Sequence, residues 1–243
     1  MSQPQKTVAF FGASTGCGLS ALKHTLAAGH KCIALLRDPS RISGVLSPET
    51  HPNLVIVKGN VHDVAAVSQC LKAGSSTLVD SVVFSIGAKF IASKMSIEDV
   101  HVCAKGIETV FQALAELRKA GFAGQPHITA ISTTSLSNFG RDTPIPIVPL
   151  YAVLLKIPGA DKKIMEDKLI ESGENFTIVR ASMLVNGETD NKVRAGIEDP
   201  KHGVESKAIG YRISREDVGK WIAENLVLKR DSKYVNKTAS ITW

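Results

Sequence analysis

Three glycines that follow the first apolar run constrain the fold of this chain most. The run Thr7–Phe11 has the length and composition of a fully buried strand. It leads directly into Gly12, Gly16 and Gly18, and a helical pattern begins at Leu19. A strand, a glycine turn and a helix in this order leave free N–H groups at a helix N-terminus, which can bind phosphate. We therefore predict a dinucleotide site, with an ordinary glycine turn in an unrelated α/β fold as the alternative.

Strand and helix patterns alternate along the rest of the chain. Further strands are predicted at 31–36, 53–58, 80–85, 127–131, 176–179 and 235–242, and helices at 19–28, 63–73, 96–120, 160–172 and 214–228. Repeated strand–helix–strand units require right-handed crossovers and a parallel sheet covered on both faces. The expected fold is one α/β domain over residues 1–243, a doubly wound, mostly parallel Rossmann sheet with a small C-terminal substrate-binding region.

Two segments without clear periodicity are candidates for the substrate wall. Residues 134–158 are rich in Pro, Ser and Thr, and residues 185–212 are polar. Both follow the carboxyl ends of predicted strands, where open α/β sheets bind ligands. We expect them to line a pocket for a small molecule.

Composition narrows the classes of partner and location. The net charge is +6, but the basic residues are dispersed and only 5% of residues are aromatic, so no nucleic-acid partner is predicted. No apolar run approaches the roughly 18–20 residues that a membrane helix needs, and no secretory leader is expected. The four scattered cysteines indicate reduced thiols, so we expect a cytoplasmic protein. We expect it to be a monomer or a homodimer.

The end of the second strand bears on which dinucleotide is bound. An acidic residue here binds a ribose 2′-hydroxyl, whereas an arginine accommodates a 2′-phosphate. Arg37 comes first, Asp38 follows, and Arg41 is near. We therefore favour NADP(H), with NAD(H) left open by Asp38 and a merely solvated Arg37 as the alternative.

Several short motifs, taken in order, resemble the short-chain dehydrogenase/reductase superfamily. They are the turn from Gly12 to Gly18, Arg37-Asp-Pro, Gly59-Asn-Val-His-Asp63 and Ser85-Ile-Gly87-Ala88. Two later motifs, Thr177-Ile-Val-Arg180-Ala-Ser and Ile213-Ser-Arg-Glu-Asp-Val218, are similar to its atypical branch, which includes NmrA-like and biliverdin-reductase-B-like proteins. The glycine turn itself, GxxxGxG, is more typical of the standard branch.

The glycine turn and the resemblance together give a set of expected cofactor contacts. The turn would hold the diphosphate through Gly12, Ser14, Thr15, Gly16, Cys17 and Gly18. The adenine would be contacted by Asn60, Val61 and Asp63, after strand three, and the adenosine ribose and phosphates by Ile86, Gly87 and Ala88, after strand four. The nicotinamide side would be contacted by Ser132, after strand five, and by Ala181, Ser182 and Met183, after strand six. A helix N-cap is the alternative role for Asp63.

The catalytic motif of the standard family, Tyr-x-x-x-Lys, is incomplete here. Four residues after Tyr151 stands Leu155, and Pro158 is expected to break a helix just beyond. Lys162 followed by Glu166 resembles the family spacing better. On that register Pro158 occupies the tyrosine position, and Cys103 occupies that of the family's asparagine, so the usual catalytic phenol is expected to be missing.

Four residues are nevertheless catalytic candidates. Lys162 would bind the nicotinamide ribose, unless it is one of several exposed lysines on its helix. Thr133 and Thr134 would contact substrate or nicotinamide, or else only hydrogen-bond the strand end. Tyr151 would enter from its Pro-rich loop as an alternative acid, or simply pack. The histidines lack metal-ligand spacing, so no metal site is predicted.

The resulting hypothesis is an NADPH-dependent reductase that acts on a small aromatic or conjugated organic molecule. The protein would supply binding and orientation, since the hydride comes from the cofactor. Two alternatives remain open. One is a non-catalytic NADP-sensing regulator of the NmrA-like kind, and the other is an isomerase or cyclase on the same scaffold.

Overall fold

The computed structural model describes residues 4–87, 90–91, 96–97 and 99–243. Thirteen strands are seen in these ranges: β1 Thr7–Phe11, β2 Lys31–Leu36, β3 Leu54–Lys58, β4 Ser81–Phe84, β5 Phe90–Ile91, β6 Ser96–Ile97, β7 His127–Thr133, β8 Asn175–Ala181, β9 Met183–Val185, β10 Arg194–Asp199, β11 Gly203–Ser206, β12 Arg212–Ser214 and β13 Lys237–Thr242. Seven α-helices accompany them: α1 Gly16–Ala27, α2 Ser40–Ser43, α3 Val64–Cys70, α4 Val102–Lys119, α5 Val148–Leu154, α6 Lys156–Glu171 and α7 Arg215–Ile222.

The main sheet, as far as the chain is described, has nine strands in the order β11-β10-β13-β8-β7-β4-β1-β2-β3. The strands from β13 to β3 are parallel, and β10 and β11 add an antiparallel edge. The order reverses between β1 and β4, where Phe11 lies opposite Phe84. Ligands bind at such a switch point in open α/β sheets. The predicted doubly wound fold is confirmed.

Helices cover both faces of this sheet and divide the core into two layers. One layer joins the strands to α1 and α7, with Leu22, Val218 and Trp221 in its interior. The other joins them to α3, α4 and α6, with Ile107 and Met165 fully buried. Because both faces are covered, strands β1, β2 and β4 are buried and apolar along almost their whole length rather than alternating.

The long helix α4 begins later than the sequence pattern predicted. Ser96 belongs to the two-residue strand β6 and does not cap the helix. The carboxylate of Asp161, from α6, instead accepts hydrogen bonds from the amides of Cys103 at 2.8 Å and Ala104 at 2.9 Å. Asp99 accepts one from the amide of His101. A residue about 60 positions away in the chain therefore caps this helix, which a local pattern does not reveal.

Pro158 does not end a helix, contrary to the prediction. It is the third residue of α6, which starts at Lys156 rather than at 160. A proline in the first turn costs little because the N–H groups there have no acceptor within the helix. The preceding residues form a separate short helix, α5, which was also not predicted.

The segment 185–212 is not an irregular loop. It contains β10 and β11, which extend the sheet beyond β13. The extension is tied to the core by Arg180, whose guanidinium is buried and bonds Glu166 at 2.7 Å and Glu198 at 2.9 Å. Glu166 comes from α6 and Glu198 from β10, so one polar residue of this segment, Glu198, belongs to a buried ion-pair network that periodicity does not show.

Candidate active site

A cavity of about 1140 Å³ opens at the carboxyl ends of β1, β2, β4, β7 and β8. Most of the predicted site residues line it. They are Gly12, Ser14, Thr15, Gly16, Cys17, Arg37, Arg41, Asn60, Val61, Ile86, Gly87, Ser132, Thr133, Tyr151, Lys162, Ala181, Ser182 and Met183. The site that the sequence predicted in separate pieces therefore forms one continuous cleft.

The glycine turn is required by close approach of the backbone. Gly12 has φ +88°, and a Cβ there would lie 2.6 Å from the carbonyl carbon of Ser85, at the end of β4. At Gly18 a Cβ would lie 2.5 Å from the carbonyl oxygen of Gly12. Gly18 is thus the glycine that lets α1 pack against the turn, and it does not line the cavity.

The N-terminus of α1 suits an anionic group. Thr15 is the N-cap residue, and its side chain makes no capping hydrogen bond, so the amides of the first turn have no side-chain cap at the cavity. The helix dipole and these amides attract negative charge. Burial raises the pKa of the Cys17 thiol to about 11, so the thiol stays neutral there and does not repel an anion. The turn therefore fits the diphosphate of a dinucleotide.

The far end of the cleft carries two arginines and an aspartate that is already engaged. Arg37 and Arg41 line the cavity. The Oδ1 atom of Asp38 accepts hydrogen bonds from the backbone amide and the hydroxyl of Ser40, at 3.1 and 2.7 Å. These bonds lower the pKa of Asp38 and hold its carboxylate at the start of α2. The two guanidinium groups at this end of the cleft can therefore bind an anionic group.

Lys162 stands in the cavity wall at the carboxyl end of β7. Its Nζ donates a hydrogen bond to the carbonyl oxygen of Ile131 at 2.7 Å, which fixes the cation at the carboxyl end of β7. The neighbouring Asp161 caps α4, so this part of α6 is held at two points. Lys162 is therefore a positioned cavity residue and not one of the exposed lysines of its helix.

Tyr151 reaches the same wall from α5, rather than from the helix that carries Lys162. Its side chain is buried, and burial raises the pKa of the phenol. The Thr134 hydroxyl and the Met183 backbone amide approach the phenol and oppose this shift only in part. The phenol therefore stays protonated at neutral pH. In the standard motif a lysine lowers the tyrosine pKa, and here burial has the opposite effect.

The hydroxyls at the carboxyl end of β7 differ in their surroundings. Ser132 and Thr133 line the cavity, whereas Thr134 does not. The Oγ of Ser132 and the Oγ1 of Thr134 are buried, and neither has a well-formed hydrogen bond within the described residues. An unpartnered buried hydroxyl beside a cavity is poised to bond a ligand. The Ser132 hydroxyl is therefore suited to hydrogen-bond a cofactor or substrate bound in the cavity.

The remaining predicted contacts and the two predicted substrate segments have different outcomes. Asp63 caps α3, accepting from the amides of Ala65 at 2.9 Å and Ala66 at 3.3 Å, and it does not line the cavity. Ala88 lies outside the described residues. Segment 134–158 contributes Tyr151 and Leu155 to the lining found in the described chain, whereas segment 185–212 contributes none because it forms the sheet edge.

Sequence reasoning missed several residues of the cleft. His62 and Asp99 line it together, with His62 Nε2 3.4 Å from Asp99 Oδ2. Leu184 and Arg215 also line it. Arg215 lies in the Ile213–Val218 motif, which the resemblance identified but to which it gave no role. Its position next to Gly16 comes from the packing of α7 on α1, which the sequence does not display.

The described residues can also be compared with the requirements of a metal site and of a membrane-spanning helix. Over the described ranges, no group of three or more His, Cys, Asp or Glu side chains is arranged to hold a metal ion. Within the same ranges, every helix is too short or too polar to cross a bilayer.

Comparison with known proteins places the chain in a family. Residues 12–227 match the family described as NAD(P)H-binding. Over the full length of both chains, this chain is 37% identical to Reductase pytE of Aspergillus terreus. It is 28% identical to Oxidase pynE of Aspergillus niger, covering all of this chain and 99% of that protein.

Solved structures share the fold at low sequence identity. A short-chain dehydrogenase/reductase from Veillonella parvula in complex with NADP has a TM-score of 0.70 at 13% identity, covering 99% of this chain and 95% of that one. ChuY, an anaerobilin reductase of Escherichia coli O157:H7, has a TM-score of 0.66 at 16% identity, covering 97% and 96% of the two chains.

The chain belongs to the NAD(P)H-binding family. Its fold resembles that of a short-chain dehydrogenase/reductase, as predicted, and its predicted assignment as an oxidoreductase is confirmed. The glycine turn, the sheet order and the cleft at the switch point account physically for that membership.

Proposed function

We propose that this protein is an NADPH-dependent reductase of a small aromatic or conjugated organic molecule. The observation that carries the proposal is the single cleft that contains the α1 N-terminus, two arginines at one end and Lys162 with Tyr151 at the other. This order matches the order of chemical groups along a nicotinamide dinucleotide. When bound, NADPH would supply the hydride, and the chain's own residues would bind, orient and protonate.

The preference for NADP(H) over NAD(H) rests on the charges beside the second strand. Arg37 and Arg41 are free of ion pairs with any described residue. Asp38, which would favour a ribose hydroxyl, is engaged with Ser40. An arginine fork binds phosphate through charge-assisted hydrogen bonds. The 2′-phosphate is therefore the group that this end of the cleft recognises.

The proposed direction of reaction rests on the more similar relative, with which Tyr151 is compatible. The relative at 37% identity is named a reductase, whereas the one at 28% identity is named an oxidase. Reduction consumes a proton at the acceptor. Burial raises the pKa of the Tyr151 phenol, so its proton-bearing form is present at neutral pH and can serve as the donor.

The proposed substrate class follows from the wall opposite the charged end. Ile131, Leu155, Met183 and Leu184 line the cavity near Tyr151 and Lys162. Apolar side chains with a few polar groups are typical of sites for flat organic ligands. A conjugated acceptor would pack on these side chains, with its oxygen near the hydroxyls of Ser132 or Tyr151.

NADPH oxidation with a panel of quinones, enones, flavins and ketones tests the proposal. We expect at least one conjugated compound to consume NADPH, with one two-electron-reduced product formed for each NADPH. The proposal would be contradicted if the enzyme oxidised NADPH with none of these compounds, or if NADPH were consumed equally fast without the enzyme. Neither the non-catalytic sensor nor the isomerase or cyclase is favoured by a specific observation in the cleft.

A further inference from the structure

Arg215 is held at the cleft by elements that are distant in sequence. It is the first residue of α7, and the preceding Ser214 caps that helix by accepting from the amide of Asp217 at 2.9 Å. Strand β12 ends at Ser214 and pairs with β9, which ends at Val185. The pairing places the arginine side chain beside the turn that follows β9.

The guanidinium is fixed by one of its nitrogens. Nη1 of Arg215 donates to the carbonyl oxygen of Leu184 at 3.2 Å and to Oδ1 of Asn186 at 2.8 Å. Within the described chain, Nε and Nη2 make no hydrogen bond to protein, and no carboxylate pairs with the side chain. The orientation of Arg215 is therefore set while donors remain for a ligand.

The side chain also touches the glycine turn. A Cβ at Gly16 would lie 3.2 Å from Cδ of Arg215, so the arginine passes directly over the start of α1. Arg215 and Lys162 both lower the pKa of Cys17, against the larger effect of burial, so both positive charges are felt at this helix N-terminus. A second, independent source of positive charge thus adds to the free amides of the turn.

We propose that Arg215 is a cofactor-binding residue that pairs with the diphosphate of the dinucleotide, independently of any 2′-phosphate. The inference rests on the proposed binding of the cofactor in this cleft. A charged side chain above the helix N-terminus strengthens anion binding there beyond what the amides supply. Because its other bonds hold Leu184 and Asn186, Arg215 also connects the diphosphate end to the strand that carries Met183.

The test compares Arg215→Gln and Arg215→Lys with the unchanged protein, by calorimetric titration of NADP⁺ and NAD⁺ at several salt concentrations. Arg194→Gln is the matched control, because Arg194 also donates to a backbone carbonyl, that of Ile209 at 3.1 Å, but does not line the cavity. Thermal melting of each variant reports whether it is folded.

We expect Arg215→Gln to raise the Kd of NADP⁺ and of NAD⁺ by the same factor, about tenfold or more, which is the scale of one charge-assisted hydrogen bond. The dependence of Kd on salt should become shallower, because one cation no longer contributes. Arg215→Lys keeps the charge but loses the forked guanidinium, so its Kd values should lie between those of the unchanged protein and those of Arg215→Gln. Arg194→Gln should leave both Kd values unchanged.

Two results would overturn the assignment. An unchanged Kd in a folded Arg215→Gln protein would restrict Arg215 to holding Leu184 and Asn186. A loss confined to NADP⁺ would assign it to the 2′-phosphate instead. If Arg215→Gln does not fold, the Arg215→Lys titration decides alone, and an unchanged Kd for both coenzymes would count against the inference. Failure of the unchanged protein to bind either coenzyme would instead refute the proposed function.

Discussion

Lys162 donates a hydrogen bond from Nζ to the backbone carbonyl of Ile131, over 2.7 Å, and so fixes a cation at the end of a central strand. The relationship joins α6 to β7 at the point where the cleft is lined by both. It explains why a lysine without the usual tyrosine four residues earlier still has a place in the site.

Replacing Lys162 by methionine should weaken the use of NADPH by the enzyme. The change removes a positive charge from the cavity and leaves the Ile131 carbonyl without this donor. We expect kcat/KM for NADPH to fall about tenfold or more. Lys163→Met is the matched control, since Lys163 pairs with Asp167 on the helix surface. Equal kinetics for the two variants would remove Lys162 from the site.

Arg37 should determine the choice of coenzyme. In Arg37→Ala the Kd of NADP⁺ should rise by about 10- to 100-fold, the scale of lost charge-assisted hydrogen bonds, while the Kd of NAD⁺ stays the same. Fluorescence or calorimetric titration measures both. The surface variant Arg194→Ala should leave the ratio unchanged. An unaltered NADP⁺ to NAD⁺ ratio in Arg37→Ala would show that the 2′-phosphate is bound elsewhere or not at all.

Tyr151→Phe should lower kcat for reduction by about 100-fold, a usual effect of removing a general acid. Because burial raises the pKa of this phenol, its donor form persists through the neutral range, and kcat should not decline until the pH exceeds about 10, the ordinary tyrosine value. Tyr211→Phe is the control, since Tyr211 is exposed and outside the cavity. An unchanged kcat in Tyr151→Phe would mean that the proton comes from water.

Asp161 should contribute to stability through its capping of α4. Asp161→Ala removes the acceptor of two buried amides, so the free energy of unfolding should fall by about 1–3 kcal/mol. Asp167→Ala, on the exposed side of the same helix, should change the free energy of unfolding only slightly. Urea unfolding of both variants gives the comparison. Equal stabilities would show that α4 does not depend on this contact.

His127 should make the protein less stable in mild acid. Burial lowers the pKa of its ring from 6.5 to about 4, so the unfolded chain binds a proton that the folded chain excludes. This contribution is fully present above pH 6.5 and is lost as the pH falls toward 4, by up to about 3 kcal/mol. Urea unfolding at a series of pH values should show the loss, and His127→Gln should reduce it while His24→Gln does not. An identical pH dependence in His127→Gln would refute the assignment.

The sequence predicted the strands, turns and side-chain positions that depend only on neighbouring residues. The run Thr7–Phe11 followed by Gly12 defines a buried strand and a tight turn through neighbouring residues alone, and the structure agrees. Arg37 at the end of β2 is likewise placed by the strand that precedes it.

What the sequence did not predict depends on contacts between distant residues. Asp161 caps a helix that begins about 60 residues earlier, so the start of α4 was misplaced. Arg215 reaches Gly16 only because α7 packs on α1. Glu198 is buried in β10 because it pairs with Arg180. The sequence shows the charge of Glu198 but not its partner, so the pattern around it does not predict a strand.

The most direct test of the account is a calorimetric titration of the unchanged protein with NADP⁺ and, separately, NAD⁺. The amides at the start of α1, the cation of Arg215 and the arginines beside β2 predict saturable binding of one coenzyme per chain, with NADP⁺ the tighter. A titration that shows no saturation with either coenzyme at millimolar concentration would contradict it.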